Sequence, residues 1–509
     1  MATPKINKIK SFIARIIFHT IRRCTRPEKY RKLSFWIDYL KEDGVSLNDA
    51  AKRVLNRVVT GFCVPDSWSF PKGSACLIQE NEKVTADVKK AAKKGALVFV
   101  TFKSFDDYPC VVCDDPLAVF AKACRYFRDL EKKLKVTSVC GSIGKTTTKN
   151  MIGEVYKMKF KTSYTESNYN AKYVIAYAVQ HIPRRTEMMI QEVNEDTPGE
   201  TRHESTMLDS ELYVITAIDK SHFSHFGDAG KIVEEVCSFT ENMSPSGSVI
   251  VNVDDFNRFD LLNGRRAITV SPSGSDADYR AENIVVSDEG LLFDVIDRQG
   301  NRVSVKLNGI FATHNIISAL YAFAAGAYQG IDYASIVEGL GHFRPRGTRQ
   351  NVLTTDDGVV IYADCYNAVG LSMKSAISTC DTMPVSGKRV AVLGDIAELG
   401  DITEDVHREV MDAVSNSKFD CLLTIGDEMK KASARLAHEG KVSVKNFVSL
   451  DDLSSEIKSI ARQGDLLLFK ASHASHLEKC ILKIWPQFGT EFKYYSRDFS
   501  KWEKKTVKY

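Results

Sequence analysis

Short apolar runs alternate with amphipathic stretches along most of the chain, and this alternation predicts parallel β-sheets flanked by helices. In the middle of the chain the predicted strands are Lys135–Cys140, Met188–Val193, Tyr213–Ile218 and Ser248–Val253. Apolar residues at helical spacing separate each strand from the next, which is typical of a parallel sheet with helical crossovers. Residues 133–345 are therefore predicted to form one α/β domain.

The pattern changes between residues 283 and 307. Three short strands are predicted there, at Asn283–Val286, Leu291–Ile296 and Arg302–Leu307, separated by the sequences SDEG and DRQG. Polar turns that contain glycine favour hairpins. We therefore expect an antiparallel insertion, followed by a helix over Asn315–Tyr328.

A further α/β unit is predicted over residues 346–509. Its strands each end in polar or glycine-containing sequence: Val359–Asp364, Arg389–Leu393, Cys421–Ile425 and Asp465–Lys470. An open α/β sheet binds its ligands beyond the carboxyl ends of its strands. We therefore expect a ligand site at that edge. Residues 344–350 are predicted to be a linker.

Residues 1–62 are predicted to be a basic helical extension. Apolar residues at helical spacing, surrounded by lysine and arginine, favour a helix that lies on an anionic membrane surface or docks on protein. Pro27 is expected to end this helix. A second helix is predicted over Ser46–Val59, with Ser46 as its N-cap. Residues 63–132 have a short, mixed pattern that predicts a small α/β domain.

Composition indicates a globular protein of several domains. The chain has 509 residues, of which 44% are hydrophobic and 26% charged. A net charge of +4 is too small for a dedicated nucleic-acid binder. The twelve cysteines contain no pair of CxxC motifs, which favours reduced thiols in a cytoplasmic protein. Peripheral contact with the inner face of the membrane, through the basic extension, is the alternative location.

The strongest local motif is Gly-Ser-Ile-Gly-Lys-Thr-Thr-Thr at residues 141–148. It follows a predicted strand and opens a helix, which is the context of a phosphate-binding loop. Backbone N–H groups and the helix dipole then face phosphate oxygens. Lys145 is expected to neutralise the β and γ phosphates of a bound nucleotide, and the Thr146 hydroxyl to bind Mg²⁺. The residues expected to contact nucleotide are Gly141, Ser142, Gly144, Lys145, Thr146 and Thr147.

This loop resembles the ATP loop of the Mur ligase family, and further landmarks of that family follow in order. Residues 167–170, Ser-Asn-Tyr-Asn, resemble its Asn-rich segment. Glu192, followed by Pro-Gly-Glu at 198–200, resembles its acidic Mg²⁺ ligand, and residues 221–223 resemble the loop that carries a metal-binding histidine. The metal ligands that the resemblance implies are Thr146, Glu192 and His222, and the catalytic residues are Lys145, Glu192 and His222.

Later landmarks extend the resemblance over residues 65–485. Asn315, in Thr-His-Asn, resembles the residue that contacts adenine, and Arg349 the linker arginine that reaches a nucleotide phosphate. Asp364 is expected to contact nucleotide or an ordered Mg²⁺ site. Residues 393–400 look most like the branch that adds D-alanyl-D-alanine to UDP-MurNAc-tripeptide.

The resemblance implies an α/β fold of three domains. The acceptor substrate is expected in the small domain at 63–132, ATP in a central P-loop domain at 133–345, and the amine in a C-terminal Rossmann-like ligase domain at 346–509. It also implies an ATP- and Mg²⁺-dependent ligase of peptidoglycan precursor synthesis. Such an enzyme phosphorylates a carboxylate, and an amine then attacks the acyl phosphate.

Departures from the family pattern leave alternatives open. Trp68 stands where the UDP-binding segment of the family has arginine, so the carboxylate acceptor is a nucleotide-sugar peptide or another molecule, such as a polyglutamate-type polymer. The amine donor is an amino acid or a dipeptide. No lysine lies between Glu192 and Asp219, so a carbamylated lysine bridging metals is not expected. An inactive ATP-binding scaffold and an NTPase that needs no acceptor are the other interpretations.

Overall fold

A computed structural model describes residues 29–67, 70–164, 172–218, 226, 228–397 and 399–492. The described chain divides into two compact units. The first comprises residues 29–134, 172–182 and 203–209, and the second comprises the remainder. Both are built from sheets with parallel strands and from helices, which confirms the predicted α/β class. The predicted basic helix before Pro27 lies outside the described residues.

A five-stranded sheet forms the centre of the first unit. Its strands lie in the order Ser46–Leu47, Cys110–Val112, Val98–Thr101, Ala75–Leu77 and Phe62–Cys63. The first two strands are antiparallel, and the other neighbours are parallel. A separate ribbon pairs Arg31–Lys32 with Val58–Val59. The helices of this unit are Leu33–Tyr39, Asp49–Lys52, Val84–Lys94, Pro116–Asp129 and Lys172–Gln180.

The prediction of a helix over Ser46–Val59 is wrong. Short strands occupy both ends of this stretch, and the helix covers only Asp49–Lys52. Its N-cap is Asn48, whose side-chain oxygen accepts a hydrogen bond from the backbone N–H of Ala51 at 2.9 Å. The same oxygen accepts from the N–H of Cys110 in the sheet. This tertiary contact fixes where the helix begins and overrides the local helical pattern.

An aromatic cluster packs the helix Leu33–Tyr39 into the first unit. Trp36 is only 2% exposed. Its ring centroid lies 4.8 Å from that of Phe62 and 5.0 Å from that of Tyr126, with the rings edge to face. This arrangement adds favourable quadrupole contacts to the burial of apolar surface. The segment before residue 63 therefore contributes both strands and core to this unit.

A nine-stranded sheet forms the first half of the second unit. Its order is Arg302–Asn308, Gly290–Asp297, Tyr279–Ser287, Arg266–Ser271, Ser248–Asn252, Leu212–Ile215, Lys135–Cys140, Met188–Glu192 and Thr162–Tyr164. Among the three strands at the first edge, each neighbouring pair is antiparallel, which confirms the predicted insertion, and the other neighbouring pairs are parallel. The helices are Lys145–Lys157, Ala229–Ser238, Asn315–Tyr328 and Tyr333–His342, and a further helix, Glu200–Leu208, has its residues 203–208 in the first unit.

A six-stranded sheet forms the other half of the second unit. Its order is Asn351–Thr354, Val360–Asp364, Leu466–Lys470, Arg389–Gly394, Cys421–Ile425 and Ser443–Phe447, with only the first pair antiparallel. The four predicted strands are confirmed, and the two edge strands were not predicted. The helices are Gly370–Thr382, Thr403–Ser415, Asp427–Glu439, Leu450–Ile460, Leu477–Ile484 and Gly489–Phe492.

The burial of the cysteines and the length and polarity of the helices are two further features of the fold. The cysteines within the described residues are free, and all of them except Cys421 are buried. Burial raises the pKa of many of these thiols, for example that of Cys113 to about 11 and that of Cys237 to about 12. Among the described helices, none combines the length and the apolar character needed to cross a bilayer.

We expect Trp36→Ala to destabilise the first unit by about 3–5 kcal/mol, because it removes the largest ring of a buried cluster and leaves a cavity. Hydrogen–deuterium exchange should report faster exchange in the helix Pro116–Asp129, which carries Tyr126. Val448→Ala is the control, since its side chain is 84% exposed and its loss should change stability by less than about 0.5 kcal/mol. Equal protection in the two variants would contradict the packing described.

Candidate functional site

The phosphate-binding loop predicted at 141–144 connects a central strand of the nine-stranded sheet to the helix Lys145–Lys157, here called the loop helix. The backbone N–H groups of Ser142 and Ile143 both donate to the carbonyl of Ala217, at 2.8 and 3.1 Å. Ala217 follows the neighbouring strand. The loop is therefore fixed to the carboxyl edge of the sheet, where open α/β sheets bind ligands.

Gly141 is required by this geometry for two reasons. Its φ of +122° is one that side-chain-bearing residues rarely adopt. A Cβ atom at this position would also lie 2.4 Å from Oγ1 of Thr216 and 3.0 Å from its carbonyl oxygen. The backbone of the loop thus passes directly against the next strand end, which only glycine permits.

Lys145, the first residue of the loop helix, is held by a carboxylate. Its Nζ lies 2.8 and 2.9 Å from the two oxygens of Glu195, whose side chain is fully buried. Burial alone lowers the pKa of Lys145, but the charge of Glu195, with a smaller contribution from Glu192, raises the net pKa above its usual value. Lys145 is therefore a cation in the folded chain.

A second buried pair lies one turn along the loop helix. The hydroxyl of Thr146 donates to Oε2 of Glu192 at 2.9 Å, and Nζ of Lys149 lies 3.5 Å from the same oxygen. The side chains of Lys149 and Glu192 are 0% and 2% exposed. Glu195 and Glu192 therefore each face an ammonium group of the loop helix, those of Lys145 and Lys149.

The donor set beside the loop suits a hard divalent cation. The hydroxyl oxygen of Thr146 and the carboxylate of Glu192 are adjacent, and Mg²⁺ takes one or two such protein oxygens together with substrate phosphates. No cluster of three or more His, Cys, Asp or Glu side chains able to hold a metal occurs among the described residues. His222, the third predicted ligand, lies outside them.

Hydrogen bonds link the loop helix to the helix Asn315–Tyr328. Oγ1 of Thr148 donates to Oγ of Ser318 at 3.0 Å, and both groups are buried. Asn315, at the start of the second helix, donates to the side-chain oxygen of Gln350 at 2.8 Å. Gln350 in turn contacts Nε2 of His314 at 2.8 Å. The predicted adenine-contacting turn is thus joined both to the loop helix and to the linker.

The linker contacts the six-stranded sheet through Asp364. The backbone N–H of Gln350 donates to Oδ1 of Asp364 at 3.3 Å, and Nζ of Lys470 lies 2.9 Å from Oδ2. Lys470 also donates to the carbonyl of Asn367 at 2.8 Å. Arg349 stacks its guanidinium group on the ring of Tyr366, 3.8 Å from the centroid.

The structure brings the predicted site residues together in two groups. Lys145, Thr146 and Glu192 meet at the start of the loop helix, and Thr147 lies half-buried on the same helix. The other group is at the linker, where Asn315 and Asp364 share Gln350 as a partner and Arg349 is its neighbour in sequence. Residues 167–170, Trp68 and Glu398 lie outside the described residues.

Sequence reasoning missed Glu195, Lys149 and Gln350. Lys149 follows Lys145 by four residues, so helical spacing would have placed the two ammonium groups on one face. Glu195 carries no such signal, because it lies in an irregular segment with several other acidic residues. Gln350 acts only through tertiary contacts, which the sequence of a linker does not reveal.

Gly141→Ala is expected to lower the free energy of unfolding of the second unit by about 2–4 kcal/mol, through strain at positive φ and the clash with Thr216. The matched control is Gly264→Ala. Gly264 also has positive φ, +70°, but a Cβ there meets open space, so a cost of about 1 kcal/mol is expected. Urea unfolding of both variants checks this, and equal losses would exclude the close approach.

Lys149→Met alone should destabilise the chain by about 3–5 kcal/mol, because it leaves the carboxylate of Glu192 buried without its ammonium partner. The double variant Lys149→Met, Glu192→Gln should regain at least about 2 kcal/mol, since the buried charge is then absent. Urea unfolding of the wild type, both single variants and the double variant completes the cycle. Additive losses would show that the two side chains are not coupled.

Comparison with known proteins shows which family of sequences this chain resembles. Residues 139–326 match the Mur ligase middle domain, and residues 348–473 match the Mur ligase glutamate ligase domain. The UDP-N-acetylmuramoyl-tripeptide–D-alanyl-D-alanine ligase of Bacillus subtilis is 31% identical over 379 residues, which cover 74% of this chain and 81% of that protein. The enzyme of the same name from Escherichia coli is 25% identical over 402 residues, covering 78% and 86%.

Solved structures share the fold. MurF from Acinetobacter baumannii matches with a TM-score of 0.73 and 22% identity, over 88% of this chain and 97% of that chain. MurF ligase from Thermotoga maritima, in complex with ADP, matches with a TM-score of 0.70 and 20% identity, over 86% and 98%. The two domain matches and the 31% identity to a full-length relative identify this chain as a member of the Mur ligase family.

Proposed function

We propose that this protein is an ATP-dependent ligase of peptidoglycan precursor synthesis that forms an amide bond between UDP-MurNAc-tripeptide and D-alanyl-D-alanine. The observation that carries the proposal is the group of Lys145, Thr146 and Glu192 at the start of the loop helix. The choice of substrates is supported by the relatives from Bacillus subtilis and Escherichia coli, whose names state this reaction.

The reaction needs an activated carboxylate. A carboxylate oxygen of the acceptor attacks the γ-phosphorus of ATP, the bond to the β–γ bridging oxygen breaks, and ADP leaves. The amine nitrogen of the dipeptide then attacks the carbonyl carbon of the acyl phosphate, inorganic phosphate leaves, and the nitrogen loses a proton. The catalysis of phosphoryl transfer depends mainly on positioning and on neutralising charge.

Lys145 supplies the main positive charge from the chain to this step. Its pKa is raised, so the ammonium group stays protonated beside the phosphates. The N–H groups that begin the loop helix and the positive end of its dipole add to the attraction for anionic oxygens. Mg²⁺ bound by Thr146 and Glu192, with His222 as the predicted further ligand, would supply additional charge neutralisation.

The remaining nucleotide contacts are assigned to the linker group. We infer that Asn315 contacts adenine and that Asp364 contacts the nucleotide, because Gln350 holds both of them in one hydrogen-bonded network. Arg349, stacked on Tyr366, is assigned to a phosphate. Contact of the basic extension with a membrane or protein stays a prediction.

Product analysis tests the activity directly. Incubation of the chain with ATP, Mg²⁺, UDP-MurNAc-tripeptide and D-alanyl-D-alanine should give ADP, phosphate and amide product in equal amounts, measured by mass spectrometry. Amide formation only with another acceptor, such as a polyglutamate, would favour a different ligase. Hydrolysis without an acceptor would indicate an NTPase, and binding without turnover a scaffold.

Lys145→Met should reduce kcat by about a thousandfold or more, because the charge that stabilises the transferring phosphoryl group is lost. It also leaves Glu195 buried without its ammonium partner, so thermal unfolding must be followed in parallel. Lys145→Arg retains the positive charge and should keep the fold while still losing most activity, since a planar fork replaces a compact ammonium group. Lys441→Met, at an exposed lysine, is the control. Near-normal turnover by both Lys145 variants would show that Lys145 has no part in the mechanism.

A further inference from the structure

The ammonium group of Lys145 has three N–H donors, and Glu195 occupies two of them. The distances from Nζ to Oε1 and Oε2 of Glu195 are nearly equal, 2.8 and 2.9 Å. An ammonium group on a flexible four-carbon stem normally has no fixed orientation. Contact with both carboxylate oxygens removes that freedom and leaves one N–H to point elsewhere.

Glu195 is itself fixed in place. Its side chain is fully buried, and its Oε2 lies 3.7 Å from Sγ of Cys140, the last residue of the strand that precedes the loop. Glu195 therefore cannot follow Lys145 into solvent. Lys149 cannot replace Lys145 as its partner either, because Lys149 is buried beside Glu192.

A carboxylate at this position affects an incoming anion. If Lys145 moved fully onto a phosphate, the buried carboxylate of Glu195 would lose both of these contacts while lying close to a triphosphate, and this arrangement is unfavourable. A lysine that keeps both Glu195 contacts and gives its third N–H to a phosphate avoids that cost. The attraction for phosphate is then smaller than that of an unopposed ammonium group.

We propose that Glu195 is a positioning residue that orients Lys145 toward the phosphates and also limits the affinity of the site for nucleotide. The inference rests on the proposed function, since it assumes that the loop binds ATP. By keeping ATP and ADP from binding too tightly, Glu195 favours release of ADP after each turnover. Its role is exerted through Lys145, and Glu195 itself does not contact the reacting atoms.

Glu195→Gln tests the electrostatic part of this role. The amide keeps the shape and one acceptor oxygen but removes the negative charge. We expect the Kd for ADP, measured by isothermal titration calorimetry with Mg²⁺, to fall by about tenfold, and kcat to fall with it because ADP leaves more slowly. If the ion pair between Lys145 and Glu195 is purely structural, the Kd for ADP should instead be unchanged or higher in this variant.

Two further variants test positioning. Glu195→Ala removes both acceptors and should lower kcat by more than Glu195→Gln does, while KM for ATP does not rise. Glu195→Asp keeps the charge on a shorter side chain and should restore part of kcat and bring the Kd for ADP back toward that of the wild type. If the three variants have the same Kd for ADP as the wild type, the proposed role of Glu195 is wrong.

Measurements on the wild-type protein distinguish a failure of the proposed function from a failure of the role proposed for Glu195. If the wild type binds neither ATP nor ADP in the calorimeter, the proposed function fails before Glu195 is considered. If the wild type binds both nucleotides but Glu195→Gln binds ADP no more tightly, the function stands and the inference about Glu195 fails. Thermal unfolding of each variant verifies that the compared proteins are folded.

Discussion

Two ammonium groups of the loop helix, those of Lys145 and Lys149, lie opposite two buried carboxylates, and this is the constraint on which the site depends. Isolated charges could not remain in this low-dielectric region, because the cost of removing a single ion from water is several kcal/mol. The two pairs, Lys145 with Glu195 and Lys149 with Glu192, satisfy this condition without any ligand. In the proposed function, phosphate and Mg²⁺ would bind where each of these pairs already neutralises its own charge, so binding would rearrange existing contacts.

The second unit joins its two sheets through polar contacts as well as apolar ones. The loop helix contacts the helix Asn315–Tyr328 through Thr148, and that helix contacts the linker through Asn315. The linker then reaches Asp364 at the carboxyl end of a strand in the six-stranded sheet. These contacts connect the loop helix, the helix Asn315–Tyr328 and the linker in series.

Structural elements can be predicted from the sequence where a local motif or a regular spacing of apolar residues marks them. The strand Lys135–Cys140 and the helix Asn315–Tyr328 were predicted with the boundaries that the structure has, because apolar periodicity and the loop motif mark both. Ser46–Val59 was mispredicted because Asn48 is held by the sheet, a contact with no local signal. In the site, Lys145 and Glu192 belong to recognisable motifs. Glu195, the partner of Lys145, is defined only by three-dimensional proximity, so no period or spacing could reveal it.

The burial of the thiols has a practical consequence. Cysteines occur in all three large sheets or their flanking helices, among them Cys76, Cys237 and Cys380, and burial in apolar surroundings keeps them protonated and inaccessible. An alkylating reagent can modify such a residue only when the surrounding element opens. The rate at which each thiol is labelled is therefore a built-in probe of local unfolding, and it requires no engineered reporter.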